Sequence, residues 1–379
     1  MAQLNELAAR LRELAPWLHP GGRDIAGLQR LPGGASQETW AFDLQLDAAR
    51  SVPLILRRAP SGSARRAAGN ATLAHRAALQ TAVAPVPAVA CLLRPEHGLG
   101  EGFVMQRLAG ETLGRRIVAE PRLAAARARL ARQCGRALAR IHGVAADVLP
   151  PLRRAPPDEE LAHYEVQYSG HGARLPVFEL GLSWLKAHAP PPDTPLGLLH
   201  GDFRNGNLIV DANGLRAVLD CELAHLGDPM EDLGWLCVSR WRYGRPDLPV
   251  GGFGTREQLF AGCAECGGRV DAARVHYGEV LGTLKWGVIC RWMAHSYLSG
   301  AERNAEPAAI GRRASEAEID LLQLLAPRRR LCDRIADGRV GLATPARAAH
   351  LWQRTMDKLA VDQPAYASCR RALAEGAAR

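Results

Sequence analysis

The residues of this chain best suited to chemistry lie close together, in Leu199-His-Gly-Asp-Phe-Arg-Asn-Gly-Asn207 and the segment running on to Asp220. A carboxylate at Asp202 can accept a proton from an attacking hydroxyl. The amide oxygen of Asn207 and the carboxylate of Asp220 are hard oxygen donors of the kind magnesium takes, and that ion usually completes its shell with substrate phosphates. Arg204 supplies a cation for developing negative charge. A base, two oxygen ligands and a cation suit phosphoryl transfer, in which positioning and charge neutralisation supply nearly all of the catalysis.

Asn213-Gly214 predicts how the two ligands meet, because this dipeptide is the strongest short signal for a two-residue hairpin loop. With these two residues at the tip, Ala212 faces Leu215, Val210 faces Ala217 and Leu208 faces Leu219. Asn207 then faces Asp220, ~5 Å away at Cβ. A longer loop through Asp211 shifts this register. An isolated Asp-x-x-x-x-Asn says little, since Asp, Asn and Gly are common in turns. The order Asp202, Asn207, hairpin, Asp220 is more specific, and it is the order of the protein-kinase catalytic loop. There the first Asp accepts the hydroxyl proton, and the Asn and later Asp hold the metal ions. Arg204 stands where protein kinases carry a lysine near the transferred phosphate.

His200-Gly-Asp-x-x-x-x-Asn207 resembles the signature of the aminoglycoside phosphotransferase and choline kinase-like family. Three further stretches resemble the branch related to kinase-like domains of acyl-CoA dehydrogenases: Gly33-Gly-Ala-Ser-Gln-Glu-Thr-Trp40, Leu223-Ala-His-Leu-Gly-Asp-Pro229 and Ile310-Gly-Arg-Arg313. The resemblance spans roughly residues 20–326. It implies an α+β fold with two lobes like a protein kinase, ATP and Mg2+ as cofactors, and transfer of the γ-phosphate to a hydroxyl of a small molecule. Carried over by residue, it makes Asp202 the base, Asn207 and Asp220 the magnesium ligands, and His200 a residue that shapes the loop. Gly33, Gly34 and Ser36 become the turn over the nucleotide phosphates, Arg57 a phosphate-binding cation, and Gln106 to Leu108 the hinge that holds adenine by backbone hydrogen bonds. Asp228 and Asp232 are expected to bond nearby backbone and arginine.

Three positions depart from that pattern. Arg57 replaces the strand lysine, keeping the charge but not its geometry. Arg76 stands where the helix glutamate is expected, in a predicted helix at 64–82 without any Asp or Glu. Cys221 follows the metal-binding Asp where tryptophan is common. Three readings therefore stand: a small-molecule kinase, a nucleotide-binding pseudokinase with a regulatory role, and an aminoglycoside-type antibiotic kinase. The closer branch favours a hydroxyacyl thioester or another anionic alcohol as acceptor over a polycationic antibiotic.

These groups need a scaffold, and helical spacing of Leu4, Leu7, Leu11 and Leu14 predicts an amphipathic helix over 3–15. Strands are expected at 28–31, 39–46, 52–58 and 103–105. Residues 1–105 thus form a small strand-rich lobe, 106–112 a hinge, 113–330 a larger helical lobe, and 331–379 a helical tail of unassigned role. In the larger lobe, Leu130, Cys134, Leu138 and Ile141 share a helix face. A strand pair is expected at 198–220, and long helices at 274–300 and 306–326. Trp235, Trp241, Trp286 and Trp292 read as core or cleft wall, and Arg312 and Arg313 as partners of Glu316 and Asp320.

Composition closes off several classes. The chain has 379 residues, 47% of them hydrophobic, enough for a substantial core. No run approaches the ~18 apolar residues of a membrane span, and Met1–Leu14 lacks an apolar signal core. Nine scattered cysteines suit a reducing cytoplasm, and Cys263 and Cys266 have no second pair at zinc-finger spacing. Net charge is +9, with arginine supplying 45 of the 48 basic residues, dispersed and without interleaved aromatics. That pattern favours an anionic small molecule over nucleic acid or membrane. A homodimer is left open.

Overall fold

The computed structural model describes residues 2–31, 38–59, 86–170 and 174–325. The turn holding Gly33, Gly34 and Ser36, the helix expected at 64–82 with Arg76, and the tail 331–379 lie outside these described residues.

The smaller lobe begins with helix α1 (Ala2–Leu18), whose Leu7, Leu11 and Leu14 are buried as their spacing requires. It covers one face of an antiparallel sheet made of β1 (Asp24–Arg30), β2 (Glu38–Gln45), β3 (Ser51–Arg58), β4 (Val89–Leu92) and β5 (Gly102–Gln106). The spatial order is β1-β2-β3-β5-β4. Two-residue alternation divides the side chains between two layers. Phe42, Leu44, Leu54, Leu56 and Val104 pack beneath α1, while Ala41, Ile55, Phe103 and Met105 face the other way. Strand β4 was not expected, because Pro85 and Pro87 precede it. An edge strand tolerates such neighbours, and Ala88 still accepts the Gln106 N–H at 2.8 Å.

The larger lobe is mostly helical. Helices α2 (Gly114–Ala119), α3 (Ala124–His142), α4 (Pro157–Ser169) and α5 (Pro176–Ala187) precede the chemistry-bearing loops. Leu130, Cys134, Leu138 and Ile141 of α3 are all buried. Helices α6 (Met230–Cys237), α7 (Arg256–Glu265), α8 (Ala272–Leu298), α9 (Ala305–Gly311) and α10 (Ala314–Leu325) follow. The helix expected over 306–326 is therefore two, and it breaks where Gly311 is pressed against Ala294 of α8, 2.6 Å from where a Cβ would sit. Cys266 caps α7 rather than continuing it. No described helix is long and apolar enough to cross a membrane.

The strand pair expected at 198–220 is likewise two ladders. Strand β6 (Gly197–Leu199) pairs with β9 (His225–Gly227), and β7 (Leu208–Asp211) with β8 (Gly214–Val218), both antiparallel. The hairpin tip is Ala212-Asn213, so Asp211 faces Gly214, with an irregularity at Arg216. Asn207 consequently lies beside Leu219, whose N–H it accepts at 2.8 Å, and not opposite Asp220. Two contacts set this register. Asp211 Oδ1 accepts the Asn213 N–H at 2.7 Å, and Gln133 of α3 brackets the tip, bonding Leu215 N at 2.9 Å and Asn213 O at 3.0 Å.

Candidate active site

The loop between β6 and β7 is fixed from beneath. Asp232, fully buried on α6, accepts the backbone N–H groups of His200 (2.8 Å) and Gly201 (3.0 Å) and faces His142 Nε2 at 3.1 Å. Burial opposes its ionisation, but His142 and His200, the latter in part through its N–H, prevail and hold its carboxyl below the usual range. Gly201 sits at φ +78°, and a Cβ there would lie 2.2 Å from the Leu223 carbonyl oxygen, so only glycine fits. His200 Nδ1 lies 3.2 Å from the Asp202 N–H and its Nε2 2.9 Å from the Leu219 carbonyl. That arrangement needs a neutral ring with its proton on Nε2. His200 thereby ties the Asp202 loop to the strand leading into Asp220.

Asp232→Asn is expected to cost on the order of 3 kcal/mol, because an amide cannot accept both N–H groups and keep the His142 contact. The depressed folded value gives Asp232 a stabilising role that is complete above the unfolded value near pH 4 and fades as pH falls through the folded one. Urea titrations from pH 7 to pH 3 should accordingly show a shallower acid loss in the variant than in the wild type.

The Asp202 carboxylate is held by three side chains. Trp235 Nε1 donates to Oδ1 at 2.8 Å, Asn207 Nδ2 to Oδ2 at 2.7 Å, and Arg204 Nε reaches both oxygens at 2.9 and 3.1 Å. Asn207 Nδ2 also bonds the Asp202 carbonyl at 2.9 Å. Arg204 thus serves the carboxylate itself in this structure and does not stand apart as a phosphate cation; its guanidinium lies 4.7 Å over the Trp241 ring. Trp235, read from the sequence as core, is both buried and bonded to Asp202. Its spacing from Asp232 held the signal, since residues three apart on one helix share a face. Helix α6 can bring that face in because Gly234 meets α8 at Gly278, where a Cβ would be 2.4 Å from the Gly278 carbonyl carbon.

Asp220 occupies the left-handed region at φ +69°, which few non-glycine residues adopt. That turn carries its carboxylate toward the smaller lobe, where Arg57 Nη2 of β3 meets Oδ1 at 3.1 Å. The pair joins the two lobes. Asn207 commits its nitrogen to Asp202 and keeps its oxygen as a ligand atom, so Asn207 and Asp220 present the hard oxygen donors that magnesium prefers. At the hinge, the Gln106 N–H is taken by Ala88 and the Arg107 N–H by Pro53 at 2.9 Å. Gln106 therefore has no N–H to offer a base, whereas the Leu108 N–H has no backbone partner among the described residues.

Asp228 pairs with Arg274 and accepts the Met230 N–H at 3.0 Å, a structural role. Arg313 pairs with Glu316 at 3.6 Å. Glu160, His225 and Glu231 place ligand atoms within 4.8 Å of one another, the spacing of a metal site. Lys285 Nζ already fills the cation's place there, 3.4 Å from Glu231 and 3.6 Å from Glu160.

A model of the phosphotransferase enzyme family matches residues 27–266, a span that holds Arg57, Asp202, Arg204, Asn207, Asp220, Asp232 and Trp235. This chain belongs to the phosphotransferase enzyme family. Residues 290–366 match a second model, of a domain of unknown function. Acyl-CoA dehydrogenase family member 10 of Mus musculus is 40% identical over 67 residues, 17% of this chain and 6% of the mouse protein. Family member 11 of Gallus gallus is 40% identical over 63 residues, 16% of this chain and 8% of its own length. The chain thus spans less than a tenth of the curated relatives it matches.

Solved structures share its two-lobed, kinase-like architecture. A protein described as a candidate aminoglycoside phosphotransferase from Ralstonia eutropha superposes with a TM-score of 0.62 at 18% identity, covering 82% of this chain and 96% of that one. A choline/ethanolamine kinase family protein from Mesorhizobium loti gives 0.55 at 20% identity, covering 86% and 95%. A thermostable aminoglycoside phosphotransferase mutant in complex with ADP and hygromycin B gives 0.54 at 15% identity, covering 84% and 97%.

Proposed function

We propose that this phosphotransferase moves the γ-phosphate of ATP to a hydroxyl group of a small molecule, with Asp202 as the base. The observation that carries the reading is the Asp202 carboxylate, fixed by Trp235 and Asn207 on a loop that buried Asp232 anchors. The acceptor O–H gives its proton to Asp202 as its oxygen bonds to the γ-phosphorus. The bond from that phosphorus to the bridging oxygen breaks, and ADP leaves. Arg204 must swing off Asp202 to admit the hydroxyl, which brings its cation beside the transferring group. Asn207 and Asp220 would hold magnesium, which when bound shields the phosphate charge. The Leu108 N–H would bond the adenine.

The Arg57–Asp220 pair favours a second reading, a nucleotide-binding protein without transfer, since a guanidinium already neutralises the carboxylate meant for the metal. Calorimetric titration of ATP with and without magnesium separates the readings. Kinase chemistry predicts magnesium-dependent binding that Asp220→Ala abolishes, together with ADP release when an acceptor is supplied. Magnesium-independent binding without ADP release would support the second reading, and absence of binding by folded protein would end both.

A further inference from the structure

One basic side chain beside this site has no carboxylate partner among the described residues. Arg240 follows α6 in the turn Ser239–Arg242, and its guanidinium lies 5.9 Å from the Trp241 ring centre, 5.8 Å from that of Trp286 and 5.8 Å from that of Tyr243. Its Nε is buried with no hydrogen bond, and no carboxylate of the described residues pairs with it. Glu316, the acidic group that acts on it, is paired with Arg313. The Trp241 and Trp286 indole N–H groups are also buried without acceptors. Buried polar groups are otherwise almost always bonded, so three unmatched donors in one aromatic cluster need an explanation.

The cluster is continuous with Asp202. Trp235 donates to Asp202, Trp241 packs 5.2 Å from Trp235, and Trp286 packs 5.2 Å from Trp241. Arg204 stacks on the same Trp241 ring that Arg240 faces. Partial burial and the nearby Arg313 push Arg240 below the usual arginine range, outweighing Tyr243 and Glu316.

We infer that Arg240, walled by Trp241, Trp286 and Tyr243, binds an anionic group, carboxylate or phosphate, on an acceptor whose hydroxyl lies at Asp202. This rests on the reading of Asp202 as the acceptor base. The guanidinium complements the oxyanion, and the aromatic cluster supplies apolar surface beside it for the chain that joins it to the hydroxyl. A polycationic acceptor would meet Arg204 and Arg240 with like charge.

The test uses the whole chain and three probes of one length: hexanoate, hexyl phosphate and 1-hexanol, titrated by calorimetry and tryptophan fluorescence. Either or both of the anions should bind at least tenfold more tightly than hexanol, and the better of the two names the anion. Arg240→Gln should remove that advantage and Arg240→Lys restore most of it. Equal binding of anions and alcohol by wild type, or an anion preference that survives in Arg240→Gln, would overturn the inference. Mg-ATP titrated into wild type reads the kinase assignment separately. Anion binding without nucleotide binding would sink the kinase reading and leave the anion site standing.

Discussion

Replacing Asp202 with alanine is expected to lower turnover by about 10²- to 10⁴-fold, the usual contribution of a positioned general base, while the protein stays folded. The carboxylate is held by neighbours and supports little structure itself. Asn207 keeps its bond to the Asp202 carbonyl, Arg204 is part-exposed and can turn to water, and the loop remains anchored by Asp232. Only Trp235 Nε1 loses a buried acceptor, which costs on the order of 1–3 kcal/mol. Asp202→Asn separates positioning from proton transfer. Its amide oxygen can still take the Trp235 and Arg204 bonds at Oδ1, its NH2 loses the Asn207 bond at Oδ2, and it cannot accept the hydroxyl proton, so its turnover should fall nearly as far. ADP release with an acceptor, beside thermal unfolding followed by circular dichroism, makes the measurement. Turnover within a few fold of wild type in either variant would remove Asp202 from the role of base.

The largest stability effect is expected from Lys285→Met. Lys285 is buried on α8 between Glu160 of α4 and Glu231 of α6, with Tyr164 and Trp235 rings 5.2 Å from its ammonium. Burial opposes its charge, but Tyr164 and the two carboxylates outweigh that and raise it above the ordinary lysine value. Removing one partner of a buried ionic cluster typically costs about 3–5 kcal/mol, because the charges left behind lose their compensation. Arg153 still reaches Glu160 at 2.8 Å, and His225 still faces Glu231 at 3.7 Å, so part of the cluster survives. The deficit should depend on pH. Lys285 is the largest influence opposing burial at the Glu231 carboxyl, so without the ammonium the folded-state value of that group rises. A folded-state value raised in this way costs stability above it, and the cost fades as pH falls through it. Urea denaturation at pH 5 and pH 8 should therefore give the smaller deficit at pH 5. An equal or larger deficit at pH 5 would mean that the carboxylates are not what Lys285 compensates. Lys285 also packs on the indole that holds Asp202, so some loss of turnover should accompany the loss of stability.

Much of this protein was legible in its sequence wherever a local rule operated. The leucine spacing of α1 and the shared face of Leu130, Cys134, Leu138 and Ile141 follow from helical geometry, and the strands around Phe42 and Leu56 follow from a two-residue period. Residue types at short spacing singled out Asp202, Asn207 and Asp220, and the family match covers the stretch that contains them. Asp228 and Asp232 were expected to bond nearby backbone and arginine; Asp228 does both, whereas Asp232 takes backbone N–H groups and faces His142 in place of an arginine. The sequence failed where partners far apart in the chain decide. Gln133 of α3 brackets the hairpin tip and moves its register by one residue, which a count from Asn213-Gly214 cannot anticipate. Trp235 on α6 reaches Asp202 on the β6–β7 loop, a contact between residues 33 positions apart. Arg57 meets Asp220 across 163 residues, and Arg240 finds three aromatic rings and, among the described residues, no paired carboxylate. Local backbone preference sets which residues can do chemistry. Close packing between distant elements sets which of them meet, and only the tertiary structure carries that.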